Sequence, residues 1–155
     1  MIIRRYQLGE ELALWQLYHD TTHLINGRDY TPEQCERWAP DQPDLESWAE
    51  RLSQTNPFVA EHNSELIGFA ELVDPGVIEF FYTHHQWQGK GIGSGLMQRL
   101  LQEANRRKYT ELRADVSLSA KAFFSSHGFE VIREQHNIVC GAPAPNFAMC
   151  KKSTV

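Results

Sequence analysis

Hydrophobic positions along this 155-residue chain recur at two different spacings, and each spacing predicts a different element. Spacings of three and four residues predict helices, because such residues share one helix face. Short runs rich in β-branched and aromatic residues predict strands. The resulting order is β-α-α-α-β-β-β-α-β-α-β-β, which indicates an α/β fold with a mixed sheet. The predicted strands cover residues 2–6, 58–61, 66–73, 77–83, 112–116, 129–133 and 147–151.

Polar residues and glycines mark the ends of the predicted helices. Thr31 followed by Pro32, with Gln34 at the third helical position, is typical of a helix start. Asp44 is placed to cap the helix that follows it, and Gly128 stands where a helix C-terminus favours glycine. The predicted helices cover residues 10–24, 32–38, a segment from 45 that includes Trp48 and Leu52, 92–107 and 119–127.

The length and composition predict one domain over residues 1–155, since 41% of residues are hydrophobic and 23% are charged. No apolar run is long enough to span a bilayer, and charges interrupt the N-terminal apolar residues, unlike a signal peptide. We therefore expect a cytoplasmic protein with no membrane partner. The net charge of −5 argues against a nucleic-acid partner, which needs a basic surface.

Cysteines and histidines are the usual ligands of structural metals, and neither type is arranged here in a familiar motif. The three cysteines show no CxxC spacing, which favours free thiols over a disulfide framework or a zinc site. His19 and His23 are four apart on a predicted helix, but Asp20 replaces the glutamate of the HExxH motif and no third ligand is evident. We predict that both histidines lie on the helix surface and that the protein binds no metal.

Four glycines, at positions 89, 91, 93 and 95, follow the predicted strand 77–83 and extend into the first turn of the helix that begins at Ile92. Glycines let a backbone approach a ligand closely, and a helix N-terminus offers unpaired N–H groups to an anion. The loop lacks the Walker pattern, because Gly91 follows Lys90, and it lacks the GxGxxG fingerprint. The pattern that fits is Q-x-x-G-x-G from Gln88 to Gly93. A tight connection without a ligand is the alternative interpretation.

This loop and a second motif together make the chain similar to the GNAT superfamily of acetyl-CoA-dependent N-acetyltransferases, in particular to its small single-domain bacterial members. That motif, A-x-x-F-[YF]-x-x-x-G-F, matches residues 120–129, and the segment 29–40 is also similar. The resemblance covers nearly the whole chain. It implies a mostly antiparallel sheet, flanked by helices and splayed between the fourth and fifth strands, with acetyl-CoA as co-substrate in the gap.

The resemblance also implies which residues contact the cofactor. Backbone groups of Phe81 and Thr83 would pair with pantetheine, and N–H groups from Gly89 to Ser94 would hold the pyrophosphate. Ser117 and Ser119 would contact the cofactor or else cap a helix, and Phe123 and Phe124 would pack near it or only in the core. The full implied set is Phe81, Tyr82, Thr83, Gln88, Gly89, Lys90, Gly91, Ile92, Gly93, Ser94, Ser117, Ser119, Phe123 and Phe124.

A general base must remove a proton from the attacking ammonium, and Glu79 is the first candidate. It lies in an apolar strand and by alternation shares a face with Val77 and Phe81. Burial there would raise its pKa, whereas an outward-facing carboxylate is the alternative. Other candidates for the base are Glu71, Asp115, a water relay and the pair His84 and His85.

The acid that protonates the leaving thiolate is the point where this chain departs from the family pattern. Phe124 stands where many members have a tyrosine. Tyr82, a serine or a water would replace that tyrosine, or the thiolate would leave unassisted, since a thiol pKa near 8.5 makes it a fair leaving group. Tyr82 is therefore the second candidate catalytic residue.

The acceptor site is expected between the first two helices, at His23, Asp29 and Tyr30, with Asn26, Arg28 and Trp38 as neighbours. An exposed Tyr30 beside Asp29 would suit a cationic amine, and the alternative is that Tyr30 and Trp38 only close the core. The predicted function is transfer of an acetyl group from acetyl-CoA to a primary amine of a small molecule, in a ternary complex. The alternatives are a non-catalytic acetyl-CoA-binding regulatory module and an acetyltransferase of proteins, peptides or charged RNA. The chain would act as a monomer or homodimer, because its tail, 147–151, suits pairing within or between subunits.

Overall fold

The computed structural model of the chain describes residues 1–153, and Thr154 and Val155 of the predicted domain lie outside it. The elements follow the predicted order, with one added hairpin. The helices are α1 (Glu11–Leu24), α2 (Pro32–Trp38), α3 (Leu45–Thr55), α4 (Ile92–Arg106) and α5 (Lys121–Ser126). The strands are β1 (Ile2–Arg5), β2 (Phe58–His62), β3 (Glu65–Val73), β4 (Val77–Thr83), β5 (Glu111–Val116), β6 (Glu130–Gln135), β7 (Ile138–Val139), β8 (Ala142–Pro143) and β9 (Asn146–Lys152).

Seven of these strands form one mixed sheet in the order β1-β2-β3-β4-β5-β9-β6. Only the β4–β5 pair is parallel, and the other pairs in this sheet are antiparallel. The C-terminal strand β9 inserts between β5 and β6, so the tail pairs within its own chain. Among the helices of residues 1–153, none reaches both the length and the hydropathy of a bilayer-spanning segment.

Apolar side chains on the two faces of the sheet form separate cores. On one face, α4 and α5 bury Leu96, Leu100 and Phe124 against the strands. On the other face, α1 and α3 bury Leu14, Leu52, Trp48 and their neighbours in a second core. Helices therefore cover both faces, as the predicted order of elements requires.

The short helix α2 begins with the capping box that its sequence predicts. The Thr31 side chain accepts a hydrogen bond from the Gln34 backbone, and the Gln34 side chain accepts one from the Thr31 backbone. The Gln34 amide nitrogen also donates to three carbonyls of the β7–β8 hairpin, those of Val139, Ala142 and Pro143, at 3.1–3.2 Å. Gln34 is fully buried, so it fixes the hairpin against α2.

Candidate active site

A cleft opens in the gap between β4 and β5. The two strands pair only at Val77 with Arg113 and at Ile78 with Ala114, and then they separate. The predicted splay between the fourth and fifth strands is thus confirmed. A cleft of about 1130 Å³ fills the gap and runs from the glycine loop to α1 and the β7–β8 hairpin.

The free edge of β4 presents backbone groups to this cleft. His84 N donates to Ile67 O at 2.8 Å, which fixes the alternation of the antiparallel β3–β4 pair. By that alternation the backbone N–H and C=O groups of Tyr82 are directed towards β3, whereas those of Phe81 and Thr83 are directed towards the gap. The Thr83 carbonyl accepts from Gln88 Nε2 at 2.7 Å and from Thr21 Oγ1 at 3.1 Å. Gln88 therefore fixes the glycine loop to the end of β4.

The glycine loop leads into α4 with two residues in the left-handed backbone region. Gly89 has φ +72° and Gly91 has φ +84°, and a Cβ at either position would meet open space. Gly91 is the N-cap of α4, and within residues 1–153 no side chain caps this helix. The first N–H groups of α4 at Ile92, Gly93 and Ser94 are thus available to an anion.

The other two glycines serve packing, which the sequence interpretation did not anticipate. A Cβ on Gly93 would lie 3.0 Å from the Phe123 ring, and one on Gly95 would lie 2.9 Å from the Ile3 side chain. Lys90 is exposed and does not line the cleft, and its Nζ lies 5.3 Å from the centroid of the Trp87 ring. Gly89, Gly91 and Gly93 line the cleft, and of these Gly89 and Gly91 have open space where a Cβ would stand.

The serine and phenylalanine candidates all line the cleft. Ser117 precedes a short 3-10 turn without capping it through its side chain, and its Oγ lies 3.4 Å from that of Ser119. The rings of Phe123 and Phe124 pack against Phe81 at centroid distances of 5.3 and 5.6 Å. Phe124 is buried and Phe123 half-buried, so both combine a core role with a place at the cleft wall.

The expected burial of Glu79 is wrong. The register of β3 against β4 shifts, pairing Glu71 with Phe80 and Leu72 with Ile78, so Glu79 is the extra residue of a bulge. The bulge interrupts the alternation, and Glu79 does not share the face on which Phe81 packs. Its side chain lines the cleft, is 42% exposed and forms an ion pair with Arg51 of α3.

The competing bases are separated by their positions. Glu71 is fully buried, accepts from Thr55 Oγ1 at 2.8 Å and from Arg51 Nε at 3.3 Å, and lies outside the cleft lining. His84 and His85 also lie outside it, and burial lowers the pKa of His84, with His85 adding to the effect. Asp115 lines the cleft and accepts from Gln135 Nε2 at 3.1 Å. Among residues 1–153, the cleft carboxylates are therefore Glu79 and Asp115.

Tyr82 lines the cleft on the same face of the sheet as α1. Its ring packs against Tyr18 at 4.9 Å and Phe69 at 5.9 Å between centroids. Burial raises the pKa of Tyr82 to about 12, against an opposing effect of the Thr22 hydroxyl. The phenol is consequently protonated throughout the neutral range and has a proton to donate.

The acceptor candidates divide into two groups. Asn26, Arg28, Tyr30 and Trp38 line the cleft, whereas His23 and Asp29 do not. The prediction of an exposed Tyr30 is wrong. Its side chain is only 7% exposed, and its hydroxyl donates to Pro145 O at 2.7 Å and accepts from Leu118 N at 3.2 Å. Tyr30 is therefore fixed in the wall of the cleft and does not present a free ring.

Two parts of the site were missed from sequence. Arg51 contacts a cleft carboxylate from α3, and the β7–β8 hairpin contributes Ile138 and Val139 to the cleft. The hairpin had a local signal, since Cys140 and Gly141 form its turn with φ +52° and +73°. Arg51 had none, because its partners lie 20 and 28 positions away in the chain.

A parallel β4–β5 pair that splays around a cleft is the arrangement that the sequence resemblance implied. The model of the acetyltransferase (GNAT) domain family matches residues 26–147. The chain belongs to the GNAT acetyltransferase family.

Three individual proteins are similar to this chain over almost its whole length. The uncharacterized N-acetyltransferase YafP of Escherichia coli is 29% identical over 147 residues, which cover 95% of this chain and 93% of that protein. A GCN5-related N-acetyltransferase from Rhodopseudomonas palustris, also described as a class-II aminotransferase, superposes with a TM-score of 0.90 at 26% identity, covering 98% and 95% of the two chains. The putative acetyltransferase yncA from Salmonella typhimurium, solved with acetyl-CoA, has a TM-score of 0.75 at 23% identity, covering 98% and 93%.

Proposed function

We propose that this enzyme transfers the acetyl group of acetyl-CoA to a primary amine of a small molecule by direct attack in a ternary complex. The observation that carries the proposal is the continuity of the cleft. One end lies at an uncapped helix N-terminus suited to phosphates, and the other end lies among polar groups of α1 and the loop that follows it. Two substrates entering from opposite ends would meet beside β4.

Residues of the cofactor half would hold acetyl-CoA mainly through the backbone. The N–H groups at the start of α4 suit the pyrophosphate, because they are unpaired and the helix dipole favours negative charge there. The gap-facing edge of β4 at Phe81 and Thr83 suits the amides of pantetheine. Phe123 would supply an apolar wall to the same arm.

Residues of the acceptor half would carry the proton transfers. The amine nitrogen attacks the thioester carbonyl carbon, the C–S bond breaks, and the products are an amide and a thiol. Glu79 would accept the proton that the ammonium must lose, directly or through a water, since its carboxylate is accessible from the cleft. The thiolate would receive a proton from Tyr82, and a β4 backbone N–H would stabilise the developing oxyanion.

The enclosure of the acceptor end favours a small amine over a protein tail. Tyr30 is fixed in the wall of the cleft, and the β7–β8 hairpin adds Ile138 and Val139 to this wall. A folded protein would have to insert a flexible segment past this wall. Arg28 lines the same end without an ion pair among the described residues, so an amine with an anionic group is a suitable acceptor to test first.

Thermal unfolding with acetyl-CoA, NAD or ATP tests the cofactor half. A ligand that binds only the folded state stabilises it by about 2.7 kcal/mol at a hundredfold excess over Kd. We expect acetyl-CoA to raise Tm and NAD and ATP to have little effect. Gly91→Ala should weaken acetyl-CoA binding about tenfold, because a Cβ strains the left-handed loop backbone by about 1–2 kcal/mol.

Gly9→Ala is the matched control, because Gly9 also has positive φ with open space around it and lies outside the cleft. Its intrinsic stability should fall similarly while its affinity for acetyl-CoA stays that of the wild type. Equal Tm shifts with all three ligands would refute the assignment of the loop. An amine panel assayed by thiol release then tests the acceptor half, and acetylation of peptides with none of the small amines would contradict the proposed acceptor class.

A further inference from the structure

Four potential metal ligands converge on the outer side of α1, away from the cleft. They are His19 and His23, one turn apart on α1, with Glu36 of α2 and Asp41 of the following loop. One ligand atom from each lies within 4.8 Å of the others. Within residues 1–153, none of the four lines the cleft, so the acetyl-transfer site does not account for them.

Contacts within this cluster already hold two of its members in position. His19 Nε2 lies 2.6 Å from Asp41 Oδ1, and its Nδ1 lies 3.0 Å from Asp20 Oδ1. Gln16 Nε2 in turn donates to that Asp20 oxygen at 2.9 Å. A carboxylate on the second ring nitrogen is the usual support of a metal-bound histidine, because it fixes the ring and its tautomer.

The remaining two ligands lie on the same side. The His23 ring centroid lies 4.3 Å from that of His19, with the two planes tilted by 33°, and His23 Nε2 lies 3.8 Å from Glu36 Oε2. Glu36 Oε1 accepts from the Asp41 backbone N–H at 2.9 Å, which ties the two carboxylates together. His23 Nε2 also contacts Ala39 O at 2.9 Å, and this hydrogen bond would be exchanged for the metal.

We propose that His19, His23, Glu36 and Asp41 form a binding site for Zn²⁺. Two imidazole nitrogens and two carboxylate oxygens are ligands that zinc takes in a tetrahedron with bonds of about 2.0–2.2 Å. Such bonds place ligand atoms about 3.4 Å apart, so the present spacing requires side-chain movements of about 1 Å. Glu36 and Asp41 are 46% and 70% exposed, which leaves an entry path from solvent.

The role of this site is structural, because its ligands belong to elements that also line the cleft. Zinc would join α1 to α2 and to the loop at Asp41. The opposite side of the same elements contributes Thr21, Thr22 and Trp38 to the cleft. The sequence alone showed only the His19–His23 pair, because the third and fourth ligands come from other elements that folding brings to α1.

Calorimetric titration of the metal-free protein with ZnCl₂ tests the proposal. We expect one saturable site and at least a tenfold weaker affinity in His19→Ala and in Asp41→Asn. His136→Ala is the matched control, because His136 is exposed and outside the cluster, and it should bind as the wild type does. Cys140→Ser should also bind normally, which separates the site from the exposed Cys140 thiol.

Two further readouts keep the test independent of acetyl transfer. Co²⁺ should give the visible absorption bands of a tetrahedral complex in the wild type and lose them in His19→Ala. Tm should rise with Zn²⁺ in the wild type, while both variants in EDTA keep cooperative unfolding. Absence of saturable binding, or equal weakening in His136→Ala and His19→Ala, would overturn the zinc site.

Discussion

Residues of the cleft fall into two groups. Some would bind acetyl-CoA through backbone groups, and others would exchange protons through their side chains. Phe81, Thr83 and Gly91 offer backbone groups, so substitution there acts through conformation. Glu79, Asp115 and Tyr82 offer side chains with protons to exchange. Substitution of these three side chains can therefore assign the proton transfers.

Glu79→Gln and Asp115→Asn form a matched pair, since each removes a cleft carboxylate without changing its size. We expect Glu79→Gln to lower kcat by about 100-fold, the low end for loss of a general base, and Asp115→Asn to lower it by less than about threefold. Steady-state thiol release at saturating acetyl-CoA measures both. The reverse ranking would transfer the role to Asp115, and two small effects would indicate a water relay.

Tyr82→Phe removes the phenol while keeping the ring that packs on Tyr18 and Phe69. We expect kcat to fall by about tenfold, which is less than for a general base because a thiolate leaves fairly well alone. Because burial raises the Tyr82 pKa to about 12, its ionisation should not enter the wild-type rate profile between pH 6 and about 10.

Tyr109→Phe is the control, because the Tyr109 hydroxyl contacts Asp74 outside the cleft lining. It should leave kcat unchanged. Wild-type kcat in Tyr82→Phe would instead mean that the thiolate leaves unassisted.

One ion-pair cluster joins helix α3 to strands β3 and β4 of the sheet. Arg51 bridges the fully buried Glu71 of β3 and the cleft residue Glu79 of β4, with its guanidinium 4.6 Å from the Phe80 ring centroid. The β-bulge places Glu79 within reach of Arg51. The same arrangement thus fixes α3 and orients the candidate base.

Arg51→Met should destabilise the protein by about 2–3 kcal/mol, because it leaves the Glu71 charge buried with Thr55 as a remaining partner. This value is below the usual range for buried pairs, since the Arg51 side chain is 36% exposed. Urea unfolding measures the change. The double variant Arg51→Met/Glu71→Leu should recover most of it.

Arg113→Met breaks the exposed contact with Glu111 and should change stability by less than about 0.5 kcal/mol. A similar loss in Arg113→Met and Arg51→Met would mean that burial of Glu71 is unimportant. Failure of the double variant to recover stability would point to lost packing on Phe80.

For the whole molecule, stability should depend on pH through carboxylates held by arginines. Hydrogen bonding to Arg106 lowers the pKa of Glu103 from 4.5 to about 2, with Arg5 and Arg107 also adding to the effect. A carboxyl whose pKa is lower in the folded state than in the unfolded state stabilises the folded protein fully at pH values above its unfolded-state pKa. This stabilisation is lost as the pH falls through the folded-state pKa. The window for Glu103 therefore runs from about pH 4.5 down to about pH 2.

We expect the wild type to lose about 1–2 kcal/mol through Glu103 across this window, a value reduced for screening because Arg106 is 70% exposed. Urea unfolding at pH 7, 5 and 3 measures it. Glu103→Gln should have a lower free energy of unfolding than the wild type at pH 7, and this free energy should fall less between pH 7 and pH 3. The control is Glu130→Gln, because Glu130 is exposed, and its unfolding free energy should vary with pH as that of the wild type does. If the unfolding free energy of Glu103→Gln fell with pH as steeply as that of the wild type, Glu103 would not be the source of the pH dependence.

The order of elements, the glycine loop before α4 and the motif over residues 120–129 could all be predicted from the amino-acid sequence. Each depends on neighbours within about ten positions, because hydrophobic periodicity, capping and turn preferences are local. The capping box of Thr31 and Gln34 formed for the same reason. The resemblance to the GNAT superfamily rests on these local patterns taken together, and the splayed sheet was expected only because the resemblance implies it.

Only the tertiary structure decided where the side chains of the site point. A bulge of one residue moved Glu79 to another face, packing buried Tyr30, and residues far apart in the chain brought Arg51 to Glu79 and Asp41 to His19. The packing of Phe123 gives a reason for Gly93 that the Q-x-x-G-x-G pattern did not contain. Such outcomes depend on contacts between elements, and a linear sequence does not specify the register and approach of its elements.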